Sequence, residues 1–218
     1  MAELNVTPTR MELTRLKKKL ETAQRGHKLL KDKRDELMRR FLDLVRENQA
    51  LRARVEATVA QANKNFVLAR AVMQDEALST ALLAAKQETT IDVGTRNVMS
   101  VELPVFSMQT RTPNPTDVYS YGLAFTSADL DDAVAQLAGL LPDLIRLAEV
   151  EKSAQLLAAE IEKTRRRVNA LEHVMIPQTQ AQIRAISMKL DENERSTQIR
   201  LMKVKDMMLA QAHGYDVM

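Results

Sequence analysis

The chain has 218 residues and a formal net charge of +3, with 28% Asp, Glu, Lys and Arg, no Cys or Trp, and only three Tyr, four Phe and five Gly. So few aromatics among so many charges argue against a broad globular core and favour packed helices, and the missing cysteines exclude disulfides and thiolate metal sites, in keeping with a reducing compartment. No stretch approaches the ~20 apolar residues of a membrane span, and residues 1–9 lack a basic cluster followed by an apolar core, so the sequence reads as soluble and cytoplasmic.

Thr9 and Glu12 have the spacing of a capping box, in which a hydroxyl and a carboxylate reciprocally satisfy backbone N–H groups, so a first helix is expected from about Arg10. Leu13, Leu16, Leu20, Ala23, Leu30, Leu37, Phe41, Leu44, Leu51, Val55 and Ala62 then follow at the three-and-four spacing of a coiled-coil seam. His27, Arg34, Asn48 and Thr58 interrupt the seam, and Gly26 costs the helix about 1 kcal/mol against Ala. The helix is expected to reach about Met73, a length on the order of 90–100 Å at 1.5 Å per residue. Residues 75–86 have drifted from the seam and read as a short separate helix or a frayed extension.

From Glu88 the pattern becomes β-like. Ile91 and Val93, a turn signal at Gly94 to Asn97, and then Val98, Val101 and Leu103 predict a β-hairpin over about residues 88–106. Pro104 cannot donate to a ladder and marks an edge strand or a strand end. Residues 110–122, with Pro113 and Pro115, read as a surface loop. Thr126 and Asp129 repeat the capping spacing and open a second helical region, which Pro142 is expected to kink or break early, leaving a short helix before the long one.

The second seam runs Leu147, Val150, Ala154, Leu157, Ile161, Val168, Leu171, Met175, Thr179, Ile183, Ile186, Leu190, Thr197, Leu201, Val204 and Met208. Its steps of four from Leu171 to Ile183, with Pro177 inside them, predict a straightened or kinked segment. Two seams in one chain imply a mainly α fold: a long antiparallel two-helix coiled-coil hairpin with a small β-hairpin module in its middle. The expected divisions are residues 1–75, 76–126 and 127–218. With the termini together, residue i lies near residue 218 minus i, which places His27 near Asp191 and Glu194 and Asn48 near Asn169.

Little in the chain suggests chemistry of its own. The glycines form no phosphate-cradling loop, and His27, His173 and His213 are too dispersed for a local metal motif. Asp191, Glu192 and Glu194 read as a solvated helix face rather than acid/base groups. No cofactor is expected. Acids and bases interleave closely enough that nucleic acid is not demanded, yet Lys17 to Arg40 and Arg165-Arg166-Arg167 form basic patches suited to an acidic partner. Three successive arginines fan around most of a helix, either as a solvated cluster with Glu162 and Glu172 or as a contact for acidic loops. Met207 and Met208 are either seam filler or an adaptable apolar tip that seats in a socket.

The segments Pro8 to Leu13, Gly26 to Asp35 and Thr164 to Pro177 resemble the D subunit of the V-type and A-type rotary ATPases. That resemblance implies a non-catalytic central rotor axle inside a ring of catalytic (A) and regulatory (B) subunits. It further implies a small central-stalk partner, the F subunit, and an adaptor on the membrane rotor, with ATP hydrolysis or synthesis coupled to H⁺ or Na⁺ movement. The chain would then be cytoplasmic and peripheral to the membrane, without inserting into it. By the same resemblance, Lys28, Lys31, Arg34, Arg165, Arg166 and Arg167 would face the ring, and the hairpin residues Ile91, Val93, Val98, Val101 and Leu103 would influence activity. Rival readings are a prefoldin-like coiled-coil chaperone and a structural coiled-coil tether.

Overall fold

A computed structural model describes residues 7–83, 86–122 and 126–213. The chain is mainly α, an antiparallel helical hairpin with a two-stranded β-hairpin in mid-chain. Its order is α1 (Arg10–Val72), α2 (Asp75–Leu82), β1 (Thr89–Val98), β2 (Val101–Thr110), a 3₁₀ turn (Pro115–Val118), α3 (Ala128–Ala170), a π-helical turn (Leu171–Met175) and α4 (Ile176–His213). It divides into two compact units, one comprising the chain up to Lys33 and from Thr164 onward, the other Arg34–Lys163.

Half of the expected capping box forms at the start of α1. The Thr9 hydroxyl accepts from the Glu12 N–H at 3.2 Å, but the Thr9 N–H donates to Thr7 O at 2.9 Å and the Glu12 carboxylate accepts from Arg15. The α1 seam is as the sequence indicated: Leu16, Leu37, Leu51, Val55 and Ala62 are buried, and Leu13, Leu20, Leu30, Phe41 and Leu44 are half-buried. The residues from Asp75 form a helix of their own, α2, after extended Gln74, and Arg70 clasps Asp75 across the break at 2.9 Å.

The hairpin turn differs from the sequence expectation. Gly94 to Asn97 lie inside β1, and the turn is Met99-Ser100, with φ of 52° and 68°. A two-residue loop with both residues left-handed is the type I′ geometry that fits strand twist, and it normally selects Asn or Gly. Here packing overrides that preference. The register pairs Val98 with Val101 and Arg96 with Leu103, and Val98, Met99, Val101 and Leu103 all join a core with Leu37, Leu157 and Ile161. Asn97 supports the turn by accepting the Ser100 N–H at 3.1 Å. Pro104 sits on β2 where the missing N–H would point away from β1, as the Phe106 N–H does in donating to Glu149 at 3.5 Å, so the ladder loses no bond.

The cap of α3 is one residue later than the Thr126 spacing suggested. Ser127 Oγ accepts from the Leu130 N–H, while the Thr126 hydroxyl donates to Gly122 O. Nor does Pro142 end a short helix, because α3 continues through it. Leu130, Ala133, Leu140 and Val150 are buried on both sides of the proline, and that packing holds the helix across the lost backbone bond. The irregularity expected around Pro177 takes the form of the π turn just before it, where the Ile176 N–H reaches back to Leu171 O. This turn absorbs the four-residue steps and leaves Met175 exposed while Thr179 returns to the seam, 3% exposed.

The helix register also departs from the sequence expectation. In the first unit His27 Nε2 lies 3.3 Å from Glu172 Oε2, not near Asp191 and Glu194, and Arg10 pairs with Glu194. In the second unit Arg52 meets Glu151, Arg54 meets Asp143, and Arg146 meets Glu47. These ion pairs within each unit, not an alignment of the termini, mark the register. Consequently α4 runs past the level of Arg10, and Leu201, Val204 and Met208, expected in a paired seam, are exposed.

Candidate partner-binding surface

The triple arginine is displayed outward by its neighbours. Thr164 and Val168, each 1% exposed, turn into the seam one helical turn apart, so Arg165, Arg166 and Arg167 fan over the outer side of α3 and all three are exposed. The His27–Glu172 contact brings Lys31 level with Val168, so exposed Lys28 and Lys31 lie within about a turn of that fan. Arg34 belongs to the second unit and is spent locally, with Nη2 2.7 Å from Asp35 Oδ1. Met207 and Met208 stand exposed on α4 with Ile199, Leu201, Met202 and Val204.

The hairpin residues separate onto two faces. Val101 and Leu103 are buried and Val98 is half-buried against the helices. Ile91 and Val93 are exposed on the other face, opposite Met108 and Phe106. The sequence reading missed this second apolar face, which becomes visible only once the turn is placed at Met99-Ser100. It also missed a polar strut at the inner edge of the hairpin. Arg146 of α3 reaches Glu47 of α1 at 2.8 Å and Glu149 at 2.9 Å, and Glu149 receives the Phe106 N–H of β2. The hydrogen bond that Arg146 donates to Glu47 leads the causes that raise the Arg146 pKa, so this guanidinium stays charged at any working pH.

Nearer the end of α1, Ala69, Ala81 and Leu130 form a second small core with Phe66, Met73, Leu78, Tyr121 and Val134. Tyr121 donates to Asp131 at 2.7 Å, and burial first, then the neighbouring carboxylate, pushes its phenol pKa well above the usual value. Lys86 and Thr112 hold the Asp117 carboxyl below its ordinary pKa. Among the described residues, no group of three or more His, Cys, Asp or Glu is placed to hold a metal ion, and no helix is long and apolar enough to cross a membrane.

An antiparallel helical hairpin with a two-stranded β-hairpin in mid-chain is the fold that the resemblance implied, and a family model for the ATP synthase D subunit matches residues 12–206. The chain belongs to the ATP synthase D subunit family. It is 60% identical over 215 residues to the V-type ATP synthase D subunit of Acetivibrio thermocellus, covering 99% of this chain and 97% of that one. The D subunit of Clostridioides difficile is 60% identical over 212 residues, covering 97% and 95%, and that of Clostridium novyi 56% over 209, covering 95% and 97%. The family likeness thus extends over the helices, the hairpin and the loop, including residues 77–126, where none of the three sequence motifs falls.

Proposed function

We propose that this chain is the central-stalk shaft of a V/A-type rotary ATPase, carrying torque between ATP hydrolysis or synthesis in a ring of A and B subunits and H⁺ or Na⁺ translocation by a membrane rotor. The observation that carries the reading is the match to the D subunit family across almost the whole chain. Chemistry in this scheme belongs to the ring, and the shaft is non-catalytic. It acts by touching ring subunits differently at each angle, since differential contact is what shifts a conformational equilibrium. The hairpin supports such a role because it lies on one flank of the helical pair, packed on Leu37, Leu157 and Ile161. A shaft so marked presents a different surface to each third of a ring.

In this scheme Arg165, Arg166, Arg167, Lys28 and Lys31 meet acidic loops of the ring, and Arg34 of the second unit is a further ring contact. Met207 and Met208, flexible and polarizable, seat in an apolar socket. Ile91, Val93, Val98, Val101 and Leu103 form the part of the hairpin that tunes activity. The small F subunit and the membrane-rotor adaptor are its further partners, and the whole sits at the cytoplasmic side of the membrane, peripheral to it. Affinity purification of the full chain from its source cells tests the reading. Recovery of catalytic and regulatory ATPase subunits is expected, together with loss of ATP-driven ion pumping when the chain is deleted. Recovery of unfolded polypeptide in their place would overturn it in favour of a chaperone.

A further inference from the structure

The ladder parity of the hairpin fixes which backbone groups of β1 are unmet. The Phe106 N–H points away from β1, to Glu149, and the Arg111 N–H bonds Glu88 O, so Glu88, Thr90, Asp92, Gly94, Arg96 and Val98 exchange bonds with β2. The N–H and C=O groups of Ile91, Val93 and Thr95 therefore face outward, and every residue from Ile91 to Asn97 is exposed. Natural edge strands are usually short or blunted by proline, bulges or inward charge. This one is ten residues long, with β-branched side chains and no proline.

We infer that the outer edge of β1 is self-complementary and joins two copies of this chain, β1 against β1, into an antiparallel four-stranded sheet. Outward-facing residues must pair with outward-facing residues, which restricts the register to every second position. One register sets Val93 opposite Thr95 of the second copy and Gly94 opposite Gly94 on the two-fold axis. It also brings Asp92 against Arg96, twice, on the face where Gln109 already steadies the Asp92 carboxylate at 2.9 Å. Sliding to the next allowed register leaves these charges unmatched. A further slide sets Asp92 on Asp92 or Arg96 on Arg96. Charge thus selects both the occupant and the alignment. The exposed Ile91, Val93 and Met108 of each copy, with half-buried Phe106, come to share one continuous face. On the proposed rotary reading a shaft turns as a single copy, so the dimer belongs to the chain outside its complex.

Sedimentation equilibrium of the full chain tests the pairing through Asp92→Arg and Arg96→Asp, each of which makes both cross-strand pairs like-charged. Wild type is expected to dimerise, and each variant alone to associate about tenfold more weakly or worse. Mixed in equal amounts, the two variants are expected to recover the dimer, because one then carries only positive and the other only negative charge at these positions. A wild-type monomer, association unchanged by Arg96→Asp, or a mixture no more associated than its parts would overturn the inference. So would amide protection of residues 91–95 that arises only when a strand of another protein binds.

Discussion

Truncating Leu37 to Ala tests whether the hairpin is fastened to the helices through the contact described. Leu37 is 0% exposed and belongs to one core with Val101 and Leu103 of β2 and Leu157 and Ile161 of α3, so its loss opens a void in a core shared by three elements. Buried Leu→Ala substitutions cost about 2.7–5 kcal/mol, the cost rising with the cavity that remains. The hairpin packs on one face only and has room to settle inward, which places this site toward the lower end, about 3 kcal/mol. Leu103→Ala, at 4% exposure, removes a β2 side chain from the same core and is expected to cost a similar amount. Because both deletions open one cavity, the double variant is expected to fall about 1 kcal/mol short of the sum. Urea unfolding of the four proteins measures the cycle, with Leu29→Ala, 69% exposed, as a control within about 0.5 kcal/mol of wild type. A loss below about 1 kcal/mol for Leu37→Ala, or strict additivity, would mean that the hairpin is not held there.

Ser100→Gly relieves one left-handed residue while leaving the backbone N–H that Asn97 accepts, and is expected to stabilise the chain by about 1 kcal/mol in thermal unfolding. Replacing Arg165, Arg166 and Arg167 by Ala is expected to leave the urea midpoint almost unchanged, since all three are exposed, while weakening capture of the ring subunits in a binding assay. Tyr121 titrates higher in the folded chain than in the unfolded one, so its contribution to stability is complete below the ordinary tyrosine pKa of about 10 and is lost as pH rises toward the elevated folded value. Tyr121→Phe is expected to flatten that alkaline loss relative to wild type in a pH series of unfolding curves.

The seam, the hairpin and the irregularity at Pro177 were legible in the sequence because each is a periodic or local signal. A buried residue every three or four positions has one helical explanation, and the steps of four around Leu171 to Ile183 required some accommodation, which the π turn supplies. The register was not legible, since a leucine seam fits a leucine seam at many alignments and the ion pairs that distinguish them, such as Arg52–Glu151, lie at the surface where each is worth little. The hairpin turn failed for a different reason. Gly94 and Asn97 carry the stronger turn propensity, but a turn there would lose the face that buries Val101 and Leu103, and that burial outweighs the strain of Met99 and Ser100.

Of the candidate surface, the arginine fan was partly legible: three successive arginines cover most of a helix's circumference, but that all three are exposed depends on Thr164, absent from the sequence seam, being buried one turn before Val168. The open edge of β1 did not, because edge status depends on which strand the helices cover. Glu149 is one residue that shows it. By accepting the Phe106 N–H it commits β2 to the helical side, and the outward-facing backbone groups of the hairpin are left on the strand that carries Asp92 and Arg96. Pro104, whose missing N–H would point away from β1, and the burial of Val101 and Leu103 mark β2 in the same way, so the open edge falls on β1.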